Sequence, residues 1–167
     1  MIEAFVGMPG QGKTYLMTRL ALRHMKKGIP VYANYPLQGA IRYSQIEELF
    51  SVREATILID EAGLVAPAGF WNRIPFDVMA HWRQHRHKRI NVWYTAQDLA
   101  DVAVPLRRVT QFVNEVKKFG PLIYWKCYNP RTKAKYGGGF HFFDMDIARK
   151  YDSYAEDVAK QKYLQGV

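Results

Sequence analysis

The chain has 167 residues, a length typical of one globular domain, and its single cysteine, Cys127, excludes an internal disulfide and a cysteine-rich zinc site. The formal net charge of +9 favours an anionic partner, which is a nucleotide, a nucleic acid or the head groups of a membrane. The sequence contains neither a long apolar run nor a basic leader, so we expect a domain that folds in the cytoplasm.

The first elements are a strand, a loop and a helix. Residues 2–6 are mostly apolar and predict a buried strand, and residues 13–27 have helical character. Between them, residues 7–14 read GMPGQGKT, which fits G-x-x-x-x-G-K-[ST] at every fixed position. This motif in this context predicts a loop that wraps a phosphate with its backbone N–H groups.

The motif assigns a role to each residue type. Glycines leave the backbone free to wrap the anion, a lysine places a charge on the β and γ phosphates, and a hydroxyl binds Mg²⁺. We therefore expect ATP and Mg²⁺ as cofactors, with Lys13 in a catalytic role and Thr14 as a metal ligand. The predicted nucleotide-binding residues are Gly7, Pro9, Gly10, Gln11, Gly12, Lys13, Thr14 and Tyr15.

A second strand is predicted at residues 31–34, and a short helix at residues 45–50 behind the capping-box spacing of Ser44 and Glu47. Residues 55–59 are apolar and β-branched, as in a fully buried parallel strand. Its end delivers two carboxylates to the edge of the sheet.

Those two carboxylates belong to Asp60 and Glu61. We expect Asp60 to hold Mg²⁺, because this cation prefers oxygen ligands, and Glu61 to activate the attacking water. A helix is then predicted from Pro75 to about residues 86–88, and a strand at residues 90–95. Four apolar side chains of that helix are expected to face the sheet: Phe76, Val78, Met79 and Trp82.

Gln97 follows the strand at residues 90–95, so its amide is expected beside the phosphates, where it contacts the γ phosphate or the water. Arg107 is the leading candidate for an arginine that stimulates catalysis. Three other arginines share that candidacy: Arg83, Arg86 and Arg108.

The last third of the chain predicts a strand at residues 109–116, a hairpin of residues 122–128 and 140–143 with a basic tip at 126–135, and a terminal helix at 153–164. The aromatic residues of this hairpin are expected in the core. The predicted fold class is α/β: a P-loop NTPase with a central, mostly parallel sheet flanked by helices, plus a C-terminal β-hairpin and helix. We expect one domain, with a nucleotide-binding core at residues 1–118 and an addition at residues 119–167.

The chain resembles the zonular occludens toxin (Zot) family, the assembly ATPases of filamentous phages. Four features carry the resemblance: the loop, the ILIDE strand at residues 57–61, the basic helix end, and the strand NVWYTAQ at residues 91–97. It covers residues 1–116 in recognisable order.

The resemblance implies the cytoplasmic ATPase domain of a protein attached to the host inner membrane, which drives phage assembly and extrusion. Implied partners are a homo-oligomeric ring, phage coat proteins, the inner-membrane assembly complex and single-stranded DNA. Two other functions remain open from the residues: a small-molecule phosphotransferase, and a scaffold that binds nucleotide without hydrolysing it.

Overall fold

A sheet of apolar strands runs through the centre of the protein, whose computed structural model describes residues 1–69 and 74–151. Its order is β3-β2-β4-β5-β1-β6-β7-β8; pairing is parallel from β3 to β6 and antiparallel among β6, β7 and β8. The strands are β1 (Ile2–Val6), β2 (Val31–Ala33), β3 (Ile41–Arg42), β4 (Thr56–Ile59), β5 (Asn91–Ala96), β6 (Phe112–Phe119), β7 (Leu122–Tyr128) and β8 (Lys135–Phe142). The predicted α/β fold with a mostly parallel sheet is therefore confirmed.

Helices cover both faces of the parallel part of the sheet. The α-helices are α1 (Lys13–Lys26), α2 (Ala62–Val65), α3 (Phe76–Arg83), α4 (Val104–Val109) and α5 (Met145–Ala148), and 3-10 helices occur at Ile46–Leu49 and Leu99–Asp101. On one face, Leu16 of α1 is buried in a cluster with Phe5 and Trp93. On the other face, Trp82 of α3 and Leu106 of α4 belong to the core cluster that includes the strand residues Ile59 and Tyr94. None of the helices within the described residues has the length and hydropathy that crossing a bilayer requires.

The strand order determines which chain ends meet. β5 lies between β1 and β4, with Val6 opposite Ala96 and Ile59 opposite Tyr94. Because all three strands are parallel, the residues that follow them lie side by side at one edge of the sheet. The phosphate loop after β1 is therefore separated from Asp60 by the end of β5 alone.

The antiparallel part of the sheet has two different faces. Ile123 of β7 is fully buried in the cluster that contains α1, and a Cβ built on Gly12 would lie 3.0 Å from its Cδ1 atom. Side chains alternate across a strand, so Leu122 and Tyr124 point to the opposite face. Only the face that carries Ile123 is packed against α1.

Several predicted boundaries are corrected by the structure. The helix from Pro75 ends at Arg83, and Phe76 in its first turn is exposed instead of facing the sheet. The strand expected at 109–116 begins at Phe112, because Pro105 opens α4 and the helix continues to Val109. The strand then runs on to Phe119.

The short helix at 45–50 is the 3-10 helix Ile46–Leu49, one register away from the predicted capping box. The Oε1 atom of Glu48, rather than Glu47, accepts hydrogen bonds from the backbone N–H groups of Ser44 and Gln45. β7 has the predicted bounds, whereas β8 is longer than the expected 140–143. The terminal helix at 153–164 lies outside the described residues, and the division after residue 118, one residue before the end of β6, stays a prediction.

Replacing Ile123 tests the packing of the antiparallel strands on α1. We expect Ile123→Ala to lower the free energy of unfolding by about 2–5 kcal/mol, because it leaves a cavity between α1 and β7. Phe140→Ala, at an exposed position on β8, is the control and should change it by less than about 0.5 kcal/mol. Urea denaturation measures both, and equal effects would contradict the assignment of the faces.

Candidate nucleotide-binding site

The loop between β1 and α1 has a backbone that only glycine suits at two points. Gly12, the N-cap of α1, has a φ of +83° and an αL conformation. A Cβ at Gly7 would lie 2.5 Å from the carbonyl oxygen of Val116 in β6. The glycines therefore allow the loop to turn sharply while it rests against the neighbouring strand.

The helix that follows the loop favours an anion at its N-terminus. Its first turn contains no acidic residue, and its last turn carries Arg23, His24 and Lys26. The partial positive charge of the helix N-terminus is thus available to a phosphate, and the basic residues suit the opposite end.

Lys13 is held by the loop itself. Its Nζ donates hydrogen bonds to the carbonyl oxygens of Gly7, at 2.8 Å, and Met8, at 3.0 Å. Burial lowers the pKa of Lys13 below its usual value, and the carboxylates of Asp60 and Glu61 oppose that change. The ammonium group therefore lies close to both the loop and the acidic residues.

Asp60 is a buried carboxylate, 3% exposed, and it receives two hydroxyl groups. Its Oδ1 accepts hydrogen bonds from Thr14 Oγ1 at 2.9 Å and from Thr95 Oγ1 at 2.6 Å. Its backbone is bound in both directions by Asn34, whose Oδ1 accepts from the Asp60 N–H at 2.7 Å and whose Nδ2 donates to the Asp60 carbonyl at 3.1 Å. Thr14 and Asp60 thus place a hydroxyl and a carboxylate oxygen together, the donor set that Mg²⁺ prefers.

Glu61 adopts a conformation that is uncommon for a residue with a side chain. Its φ of +53° places it in the left-handed region, and it is the N-cap of α2. Its backbone N–H donates to Thr95 Oγ1 at 2.8 Å, and its carbonyl accepts from the Leu64 N–H at 2.8 Å. Strain of this kind at a residue that lines a cavity is a mark of a functional position.

Thr95 connects the two acidic residues, and sequence reasoning missed it. Its hydroxyl accepts from the Glu61 N–H and donates to the Asp60 carboxylate, and the residue is 1% exposed. Sequence reasoning also missed Asn34. The one available hint is that each is a polar residue at or just beyond the end of an apolar strand.

A cavity of about 560 Å³ brings the predicted residues together. Gln97 follows β5 at the edge of this cavity, and its carbonyl accepts from the Gly7 N–H at 3.2 Å, which ties the end of β5 to the loop. The lining residues are Pro9, Gly10, Lys13, Thr14, Asp60, Glu61, Gly63, Leu64, Thr95, Ala96, Gln97 and Asp101.

Three predicted residues point elsewhere. The side chain of Tyr15 is buried, stacks on Phe143, and its hydroxyl accepts from the Asp144 N–H at 2.9 Å, so only its backbone is available to a nucleotide. Gln11 Oε1 accepts from the Lys118 N–H of β6 at 2.6 Å. Arg107 lies on α4 and is not among the described residues that line the cavity.

Comparison with known proteins supports the fold of this site. No protein-family model and no curated protein matches the chain. Among solved structures, the N-terminal domain of zonular occludens toxin from Neisseria meningitidis matches with a TM-score of 0.65 at 15% identity, covering 90% of this chain and 98% of that one.

Two ATPases are similar to nearly the same degree. The genome-packaging NTPase B204 of Sulfolobus turreted icosahedral virus 2, bound to ATP-γ-S, has a TM-score of 0.64 at 11% identity over 86% of this chain and 97% of that one. A further solved structure, of an isolated ATPase domain, has a TM-score of 0.63 at 8% identity over 87% of this chain and 82% of that one. The chain therefore has the P-loop NTPase fold, as its resemblance to the Zot family implied.

The double role of Thr95 leads to a stability prediction. We expect Thr95→Val to lower the free energy of unfolding by about 1–3 kcal/mol, because it removes a donor to the buried Asp60 carboxylate and the acceptor of the Glu61 N–H. Thr95→Ser keeps the hydroxyl and should lose clearly less. Chemical denaturation of both variants tests this, and a Val variant as stable as the Ser variant would show that the bridge contributes nothing.

Proposed function

We propose that this protein is an ATPase that hydrolyses MgATP at the cavity beside its phosphate loop. The single observation that carries the proposal is the arrangement around Asp60, where the hydroxyl of Thr14 meets a buried carboxylate next to Lys13. A loop that binds phosphate and an oxygen donor set for Mg²⁺ therefore share one cavity.

Each residue has a role in the proposed reaction. The loop and Lys13 bind and orient the β and γ phosphates, while Thr14 and Asp60 would hold Mg²⁺. The bound ion would supply charge neutralisation of the phosphates. A water attacks the γ phosphorus, the bond to the bridging oxygen of ADP breaks, and Glu61 accepts the proton of the water.

Gln97 contacts the loop and lines the cavity. Its backbone carbonyl accepts from Gly7, and the residue shares the cavity with Lys13 and Glu61. In the proposed reaction the Gln97 amide donates to the γ phosphate or orients the water. Loss of the γ phosphate would then be communicated to the end of β5.

We propose that hydrolysis drives assembly of filamentous phage, as in the Zot family. The protein would act as a homo-oligomeric ring with Arg107 completing the site of a neighbouring copy. It would lie on the cytoplasmic side of the host inner membrane, where coat proteins and the assembly complex are its partners. The motifs shared with the Zot family and the similar fold of the Neisseria domain support this proposal.

Variants of Lys13 and Glu61 separate binding from turnover. We expect Lys13→Ala to abolish ATP hydrolysis through loss of phosphate binding, and Glu61→Gln to lower kcat about 100-fold or more while ATP binding is retained. Phosphate release without an added acceptor identifies water as the acceptor and excludes a phosphotransferase. Unchanged turnover in Glu61→Gln would refute the base role, and ATP binding without any turnover would favour a scaffold.

The ring proposal predicts that specific activity depends on protein concentration. Turnover per chain should rise as oligomers form, and Arg107→Ala should lower it about 10-fold or more, since an arginine that acts between copies stabilises the transition state. Arg89→Ala is a matched control, because Arg89 is exposed and pairs with Glu54. Activity that stays constant while the measured size changes would contradict a shared site.

A further inference from the structure

The antiparallel strands leave one face of the sheet uncovered by the described residues. The paired residues Phe119 and Leu122, Lys117 and Tyr124, and then Leu122 and Phe142, Tyr124 and Phe140, share that face. The opposite face, which carries Ile123 and Trp125, packs against α1. We call the uncovered surface the aromatic face, formed by Phe119, Leu122, Tyr124, Phe140 and Phe142.

Three phenylalanines on the aromatic face are largely exposed to solvent. Phe119 is 65% exposed, Phe140 is 64% exposed and Phe142 is 67% exposed. The sequence pattern predicts Phe140 and Phe142 in the core, and the structure corrects that expectation. A contiguous exposed aromatic patch of this kind marks an interaction site.

The end of the described chain does not cover this patch. Tyr151, the last described residue, packs with Tyr35 at a ring distance of 6.3 Å in the cluster on the α1 side of the sheet. Within residues 1–69 and 74–151, the aromatic face therefore has no helix above it.

Cations accompany the aromatic rings on the same surface. Lys117 stands opposite Tyr124, and the Nζ of Lys126 lies 6.0 Å from the centre of the Tyr124 ring. The Nζ of Lys133 lies 5.6 Å from the centre of the Tyr128 ring. At the border, Arg131 donates a hydrogen bond to the carbonyl oxygen of Arg108 in α4, which brings two more cations to the loop after β7.

One carboxylate on this surface is already paired. Glu115 forms an ion pair with Lys117 at 3.6 Å, and it stands opposite Lys126 in the sheet. The surface therefore has an excess of positive charge around an aromatic centre. A lipid surface or an acidic protein would use the charge, but neither requires several exposed rings on one flat sheet.

We propose that the aromatic face binds single-stranded nucleic acid. Unpaired bases would stack on Phe119, Phe140 and Phe142, and Lys117 and Lys126 would neutralise the phosphates between them. Aromatic rings on a sheet bordered by lysines suit a single strand in particular, because the bases of a duplex are already stacked on one another. Binding of this kind tolerates any sequence, since every base has a flat face.

Direct binding to a labelled 20-nucleotide oligo(dT) tests the proposal without any nucleotide present. We expect fluorescence anisotropy to show binding at low salt, and Phe140→Ala and Phe142→Ala each to weaken it about 5- to 100-fold. Phe76→Ala is the matched control, because Phe76 is 74% exposed on α3, and it should bind like the wild type. Lys117→Gln and Lys126→Gln should each reduce the salt slope by about 1.

Several outcomes would overturn the proposal. Wild-type protein that fails to bind at low salt, binding that favours a duplex of the same length, or equal binding by the Phe140 and Phe76 variants would each do so. If Phe140→Ala instead lowers the oligomer size by light scattering and leaves oligo(dT) binding unchanged, a second copy of the chain occupies this face. Lys13→Ala should bind oligo(dT) normally, so failure of the ATPase proposal is recognised separately.

Discussion

The buried carboxylate of Asp60 is the constraint on which the candidate site depends. Removing a carboxylate from water costs several kcal/mol unless hydrogen-bond donors replace the solvent. Two hydroxyl groups do so here, one from the start of α1 and one from β5, and Asn34 at the end of β2 fixes the backbone. One residue therefore joins four elements that are distant in sequence.

The sheet order makes this convergence possible and also explains the uncovered surface. With β5 between β1 and β4, the loop, Thr95 and Asp60 fall at one edge, and each contributes to the same cavity. On the other side of β1, the sheet continues through β6 into β7 and β8, while α1 packs on one face of these strands only. The aromatic rings on the second face are the consequence, and Phe119 lines a second cavity of about 590 Å³ that also contacts Met8 and Gln97.

The sequence was most informative where the chemistry is local. The loop was predicted from the spacing of its glycines and Lys13, and the buried strands from their apolar runs, because both depend on neighbours in the chain. The bridging role of Thr95 depends on residues 34 and 35 positions away, so no local pattern identifies it. The aromatic residues of β8 were assigned to the core because alternation shows that a strand has two faces, but not which face a helix covers.

The central claim is that Asp60 and Thr14 form the Mg²⁺ site of a bound nucleotide. Isothermal titration calorimetry of a non-hydrolysable ATP analogue, with Mg²⁺ and with EDTA, tests it most directly in the wild type and in Asp60→Ala. The account predicts that Mg²⁺ tightens binding at least about 10-fold in the wild type and has little effect in the variant, because the carboxylate oxygen is missing. Equal affinity with and without Mg²⁺ in the wild type would contradict it.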